Sequence, residues 1–207
     1  PTCALPISAW AALLDELLED PQYGVAQARR WLDLVRYAET NGYERDNPKL
    51  NVWRYRDWVV RAFNQDLPYD EFASLQLAGD ELAEELEDPA ARADALLATG
   101  VHRLGVWDDE PVDRGQARSD ERADIVDTFS VALFGTTMGC ARCHDHKADP
   151  VTQREYFELT AHFRGLEGQN YSSHRPVADP PGPGMITIRE RDARRAELDA
   201  RLAAALD

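Results

Sequence analysis

The chain has 207 residues, 38 of them acidic and 23 basic, for a formal net charge of -15. A chain of this length can build a sizeable core without a disulfide or metal, and its acidity argues against nucleic acid or an anionic membrane surface as partner. Its longest apolar runs, such as Ala9 to Leu14 and Val131 to Phe134, fall far short of the roughly 18 residues that span a bilayer, so no transmembrane segment is expected.

The first residues, "PTCALPI", lack an initiator Met and read like the translation of a sequencing-adapter end, so 1–7 are set aside as non-native. From Ser8, Trp10, Leu13, Leu14, Leu17 and Leu18 share one helical face, with Ser8 as cap and Pro21 as stop; this predicts a core helix. Ala28, Trp31, Leu32, Val35 and Ala38 predict a second helix ending at Asn41-Gly42. A polar loop follows. Val52, Tyr55, Val59, Val60 and Phe63 form the stripe of a third helix, capped by Asn51 and interrupted by Pro68, and a short helix is expected from about Tyr69 to Leu77.

Residues 80–99 are acidic and alanine-rich, with Pro89 opening and Gly100 closing another short helix. Residues 100–116 have no clear period and read as a loop. "SDERADIVDTFSVALFGTT" resumes helix with Ile125, Phe129, Ala132 and Leu133 in phase, and a further helix is capped by Thr152, with Glu155 as its capping-box partner. The Gly-, Pro- and Ser-rich stretch 167–186 reads as a linker, and 187–207 as the start of a charged helical arm. With hardly a convincing strand, the fold class is mainly α, an irregular helical domain over 8–166 with long ordered loops.

The chemistry concentrates in "GCARCHDHKADP", residues 139–150. On a helix, Cys140, Cys143 and His144 project from one face while Ala141 and Arg142 face away. Two thiols followed directly by an imidazole are what a covalent haem c needs: two thioether bonds and a proximal iron ligand. The alternatives are a zinc site from Cys140, Cys143, His144 and His146, although structural zinc usually draws ligands from two separated segments, and a redox dithiol, which expects a βαβ setting. Candidates for a distal iron ligand are His102 and His162, with His174, Met138 and Met185 behind them, each with an ordinary packing role as the competing explanation. Asp145, His146, Lys147 and Asp149 form a polar collar that suits haem propionates or a plain turn. Trp107–Glu110 reads as a hard-cation loop or a solvated acidic one, and Arg54–Trp58 as a propionate contact or a paired surface stripe.

The ordered strings "RRWLDLVRYAETNGYERD", "NVWRYRDWVVRAFNQDLPYDEF", "QLAGDEL", "ATGVHRLGVWDDEP" and "GCARCHDHKADPVTQREYFEL" together resemble the planctomycete cytochrome-c-like domain family of unknown function, in its second, larger type. The resemblance runs from about Arg29 to Phe163. It implies a periplasmic or otherwise extracytoplasmic multidomain protein, with haem at Cys140, Cys143 and His144 and electron transfer to a redox partner or to adjacent domains of the same polypeptide. Ala148 stands where the family pattern implies an aromatic residue. The alternative is a haem-free binding or scaffold domain in which the Cys pair forms a disulfide or metal site. Nothing in the sequence assigns an enzymatic activity.

Overall fold

The computed structural model describes residues 7–166. The expected linker 167–186, the arm 187–207, His174 and Met185 lie outside the described residues, as does most of the segment set aside at the N-terminus. Among the described residues the fold is all helical: seven α-helices joined by loops and 3-10 turns, with one isolated β-bridge between Thr40 and Pro48. No described helix is long and apolar enough to cross a membrane.

Helix α1 (Ile7–Glu19) forms where the hydrophobic period predicts, but it is not a core helix. Trp10, Leu14, Leu17 and Leu18 are all more than half exposed. Ser8 lies inside the helix rather than ahead of it. The period reports that a helix is two-sided, not that something covers its apolar side.

Helix α2 (Gln22–Leu34) buries Ala28, Trp31 and Leu32 as expected, but stops well before Asn41-Gly42. Arg36 takes the left-handed conformation at φ 59°, and the Tyr37 N–H closes back onto the Leu32 carbonyl at 2.8 Å. This is the closure usually given to glycine. Here the Arg36 guanidinium is held by the Asp124 carboxylate, far away in sequence.

Helix α3 (Trp53–Asn64) buries Tyr55, Trp58, Val59 and Ala62, while Val60 and Phe63 pack at the margin of the core; Val52, not Asn51, sits at its N-cap position, without a side-chain cap. Helix α4 (Tyr69–Glu85) contains the expected Tyr69–Leu77 helix as its first part and then continues across a break at Ala78 (φ -143°, ψ 33°). Helix α5 (Pro89–Ala98) opens at proline as expected, capped by the Asp88 carboxylate, which accepts from the Ala90 and Ala91 amides. Where α4 meets α5, Gly79 lies so close to α5 that an added Cβ would stand 2.2 Å from the Ala95 carbonyl oxygen.

The main core joins α2, α3, α4, α5 and α6 (Arg114–Phe134). At its centre lies a buried hydrogen-bonded cluster. The Trp31 indole donates to the Tyr55 hydroxyl (2.9 Å) and to Gln76 Oε1 (3.2 Å), Tyr55 donates to Gln76 Oε1 (2.6 Å), and Gln76 Nε2 donates to the Phe72 carbonyl (3.0 Å). Burying polar atoms is tolerable only when they are paired in this way. Phe72 stacks on Trp58 and meets Trp31 edge-on, at centroid separations of 5.3 and 4.9 Å.

The expected loop at 100–116 includes a 3-10 turn over Thr99–Arg103 and yields to α6 at Arg114, where Asp113 caps the helix. This loop is clamped to the loop after α2. Trp107 N–H donates to the Asn41 carbonyl (3.0 Å), Asn47 to Asp109 (2.7 Å), and Lys49 Nζ to the Leu104 and Gly105 carbonyls (3.0 and 2.8 Å). Burial, with Arg36 nearby, pushes the Lys49 ammonium down to about 8. The acidic stretch Trp107–Glu110 thus ties two loops together, with Arg45 paired to Glu110 at 2.8 Å. In the Arg54–Trp58 stripe, Arg56 pairs with Asp57 and Glu39, whereas Arg54 is buried and lies over the Trp53 ring.

Candidate functional site

Helix α6 ends at Gly135, in the left-handed conformation at φ 64°, and the chain turns at once into the cysteine motif. The motif is one helical turn, not the regular helix expected. A 3-10 segment covers Gly139–Arg142, and the Cys140 carbonyl accepts from both the Cys143 and His144 amides, at 3.2 and 3.4 Å. One turn is enough to sort the side chains. Ala141 points inward and is fully buried against Ala123 and Val126 of α6 and Tyr156 of α7 (Gln153–His162). Cys140, Cys143 and His144 are exposed, and both thiols are free. Arg142 is drawn to α6 by an ion pair with Asp120, while its carbonyl accepts from Gln153 Nε2 at 3.1 Å. Ala141 and Arg142 are therefore both engaged with α6, and the small size of Ala141 lets the turn sit directly on the second apolar cluster.

The two histidines of the motif are held in different hydrogen-bonding states. His144 Nδ1 lies 2.7 Å from the Asp145 carbonyl. A carbonyl only accepts, so Nδ1 carries the hydrogen and Nε2 keeps a lone pair able to bind a metal. His146 is the reverse. Its side chain is 7% exposed, and its Nδ1 accepts from the Asp149 amide at 2.9 Å and the Ala148 amide at 3.3 Å. An atom that accepts an amide hydrogen has none of its own, so the Asp149 carboxylate oxygen 3.3 Å from it is a neighbour rather than the partner of a charged pair. In the neutral ring Nε2 then carries the hydrogen. The lone pair of His146 is thus already engaged by backbone amides, and among the described residues no group of three or more His, Cys, Asp or Glu converges as a metal-holding set. The Cys2His2 arrangement is not assembled.

Beneath the turn, Asp127 of α6 accepts from the Tyr156 hydroxyl at 3.2 Å and stands beside Gly139, where an added Cβ would lie 3.2 Å from Oδ2. Burial raises the Asp127 carboxyl above its ordinary range, and burial together with Asp127 raises the Tyr156 phenol. The Thr152–Glu155 capping box expected for α7 is present, and the Gln153 amide donates to the Asp145 carboxylate at 2.9 Å. Asp127, Tyr156 and the inward role of Ala141 escape a reading of the motif alone. The period of α6 locates its core face without revealing what lies under its other side.

His102 is buried, with its ring 5.3 Å from Phe129 and 5.9 Å from Phe163. It lies by the backbone of Leu77 and Gln76, next to the break in α4, with Nδ1 buried without a partner. His162, for which a core position competes with the ligand role, is exposed at the end of α7, and Met138 packs partly buried beside the second cluster. Burial lowers the His102 imidazole from its ordinary value of 6.5. A folded-state value below the unfolded one means that the stability held at neutral pH is lost as pH falls below 6.5 through the lowered value. Urea midpoints are therefore expected to drop over that interval in the native chain and to drop less in His102→Phe. Equal slopes in the two proteins would contradict this.

With the geometry in place, comparison finds that the model of the PSCyt2 family, described as a protein of unknown function (DUF1549), matches residues 4–168. No curated protein and no solved structure matches.

Proposed function

Because the chain belongs to the PSCyt2 family, whose description assigns no activity, we propose from its own geometry that residues 139–144 form a covalent haem c attachment site and that the domain carries electrons. The observation behind this reading is the sorting performed by one turn: Cys140, Cys143 and His144 exposed together, the thiols free, and Ala141 buried beneath them. His144 strengthens it, because the Asp145 carbonyl occupies Nδ1 and leaves Nε2 as the ligating atom. A ring N–H donated to a backbone carbonyl is usual for metal-bound histidine. Cys140 and Cys143 would hold the group through thioethers, each S–H adding across a vinyl double bond, and His144 would be the proximal ligand. Bound haem supplies a one-electron couple whose potential depends on its axial ligands and surroundings.

The chain's own contribution is to hold the turn. Ala141 fastens it to the second cluster, Arg142 is anchored by Asp120, and the Asp145 backbone and side chain bind it to His144 and to the start of α7. Because haem is joined to thiols on the outer side of the cytoplasmic membrane, this reading places the domain outside the cytoplasm, serving a redox partner or adjacent domains of the same polypeptide.

The test is expression with a c-type maturation system, followed by a pyridine haemochrome spectrum and a haem stain after denaturing electrophoresis. Covalent haem is expected in the native chain and is expected to disappear in Cys140→Ala together with Cys143→Ala. A folded, haem-free chain with a Cys140–Cys143 disulfide would overturn the assignment in favour of a binding or scaffold domain.

A further inference from the structure

We infer that His146 is a positioning residue: its imidazole, acting as a neutral hydrogen-bond acceptor, locks the loop that holds His144 in the tautomer able to ligate a metal through Nε2. The inference rests on the reading of His144 as a ligand and deepens it.

The path is short and each link is a hydrogen bond. The peptide between residues 145 and 146 carries two groups pointing in opposite directions. Its carbonyl, from Asp145, meets His144 Nδ1 at 2.7 Å, and its N–H, from His146, donates to the Val151 carbonyl at 2.8 Å. A trans peptide is planar, so fixing one group fixes the other. The plane is therefore only as steady as the segment 146–151 that supplies the Val151 carbonyl. His146 folds that segment back on itself, with its Nδ1 gathering the Ala148 and Asp149 amides and its side chain 7% exposed. The Val151 amide donates in turn to the Asp149 carbonyl at 2.8 Å. Among the described residues no other side chain accepts those two amides. Without the imidazole acceptor they would compete for other partners, the peptide plane would be free to rotate, and His144 would lose the carbonyl that selects its tautomer.

Shape separates this role from bulk packing. In asparagine the side-chain oxygen can occupy the position of Nδ1, whereas glutamine places its amide near Nε2 and leaves the Ala148 and Asp149 amides unmet. The tautomer of His144 is read by nitrogen-15 correlation spectroscopy of the full chain without haem, at about pH 8, where an ordinary imidazole is neutral. The native chain is expected to hold His144 mainly with Nδ1 protonated. His146→Asn should preserve that population ratio, and His146→Gln and His146→Ala should reduce it by roughly fivefold to tenfold, the scale of one net hydrogen bond. Indistinguishable ratios in the Asn and Gln variants would overturn the inference. Should substitution unfold the domain, the native chain decides the matter: a scalar coupling across the hydrogen bond from the Asp149 amide to His146 Nδ1 is required, and a protonated His146 Nδ1 in its place would overturn it. All of these readings are made without haem. Failure of haem attachment would leave them standing, and their failure would leave covalent attachment untouched.

Discussion

Tyr156→Ala is expected to destabilise the domain by about 3–5 kcal/mol, the range for removing a large aromatic side chain from a core. Tyr156 is 1% exposed and forms the α7 side of the small cluster that receives Ala141. Its loss would open a cavity under the cysteine turn and also remove the hydroxyl that donates to the half-buried Asp127 carboxylate. Both consequences act on the segment that carries Cys140 and Cys143. Tyr156→Phe separates them, since it keeps the ring and removes only the hydroxyl, at a cost of about 1–3 kcal/mol. Urea unfolding of the three proteins measures both differences. A Tyr156→Ala midpoint close to that of the native chain would mean that the turn does not depend on the cluster beneath it.

Gly79→Ala is the second substitution with a large expected effect. Judged by helix propensity alone, exchanging a helical glycine for alanine should stabilise by about 0.5–1 kcal/mol. The contact reverses the sign. A Cβ at this position would lie 2.2 Å from the Ala95 carbonyl oxygen, 3.0 Å from its carbon and 3.2 Å from Thr99 Cγ2. The backbone of α5 cannot move aside like the end of a flexible side chain, so α4 and α5 must separate. Overpacking of this kind costs about 1–3 kcal/mol and occasionally more, and a clash with main chain belongs at the upper end. Because Gln76, three residues before Gly79 on α4, holds the buried Trp31 and Tyr55 network, the separation would also disturb the centre of the core. Thermal or urea unfolding checks the expectation, and a variant as stable as the native chain or more so would contradict it.

How legible these features are in the sequence depends on the distance over which their causes act. The capping box at Thr152 and the proline start of α5 are local, and both appear where the sequence places them. The end of α2 is not local. Arg36 in a left-handed conformation looks improbable until Asp124, 88 positions away, is brought against it. The break at Ala78 is likewise not marked by any local signal, and it falls beside Gly79, where α5 lies against α4. Helix α1 shows the opposite error, in which a clear apolar face was expected to be core and is exposed.

The site divides in the same way. The spacing of Cys140, Cys143 and His144 is visible in the sequence. That the carrier is a single turn, that Ala141 is its anchor, and that the two histidines occupy opposite tautomers are tertiary facts. They arise from α7 folding back against α6 and from a loop whose amides choose their own acceptor. The spacing bears on the zinc alternative in the sequence, whereas the hydrogen bonds that engage His146 appear only in the structure.

The most direct test of the account is thiol counting on the intact, unfolded chain after c-type maturation. Alkylation under denaturing conditions, read by mass spectrometry, reports Cys3, Cys140 and Cys143 separately once the chain is digested. The matured chain is expected to gain one haem mass, with Cys140 and Cys143 both protected from alkylation and Cys3 reactive as an internal control. A correctly folded chain with no added haem and all three thiols alkylated would contradict it.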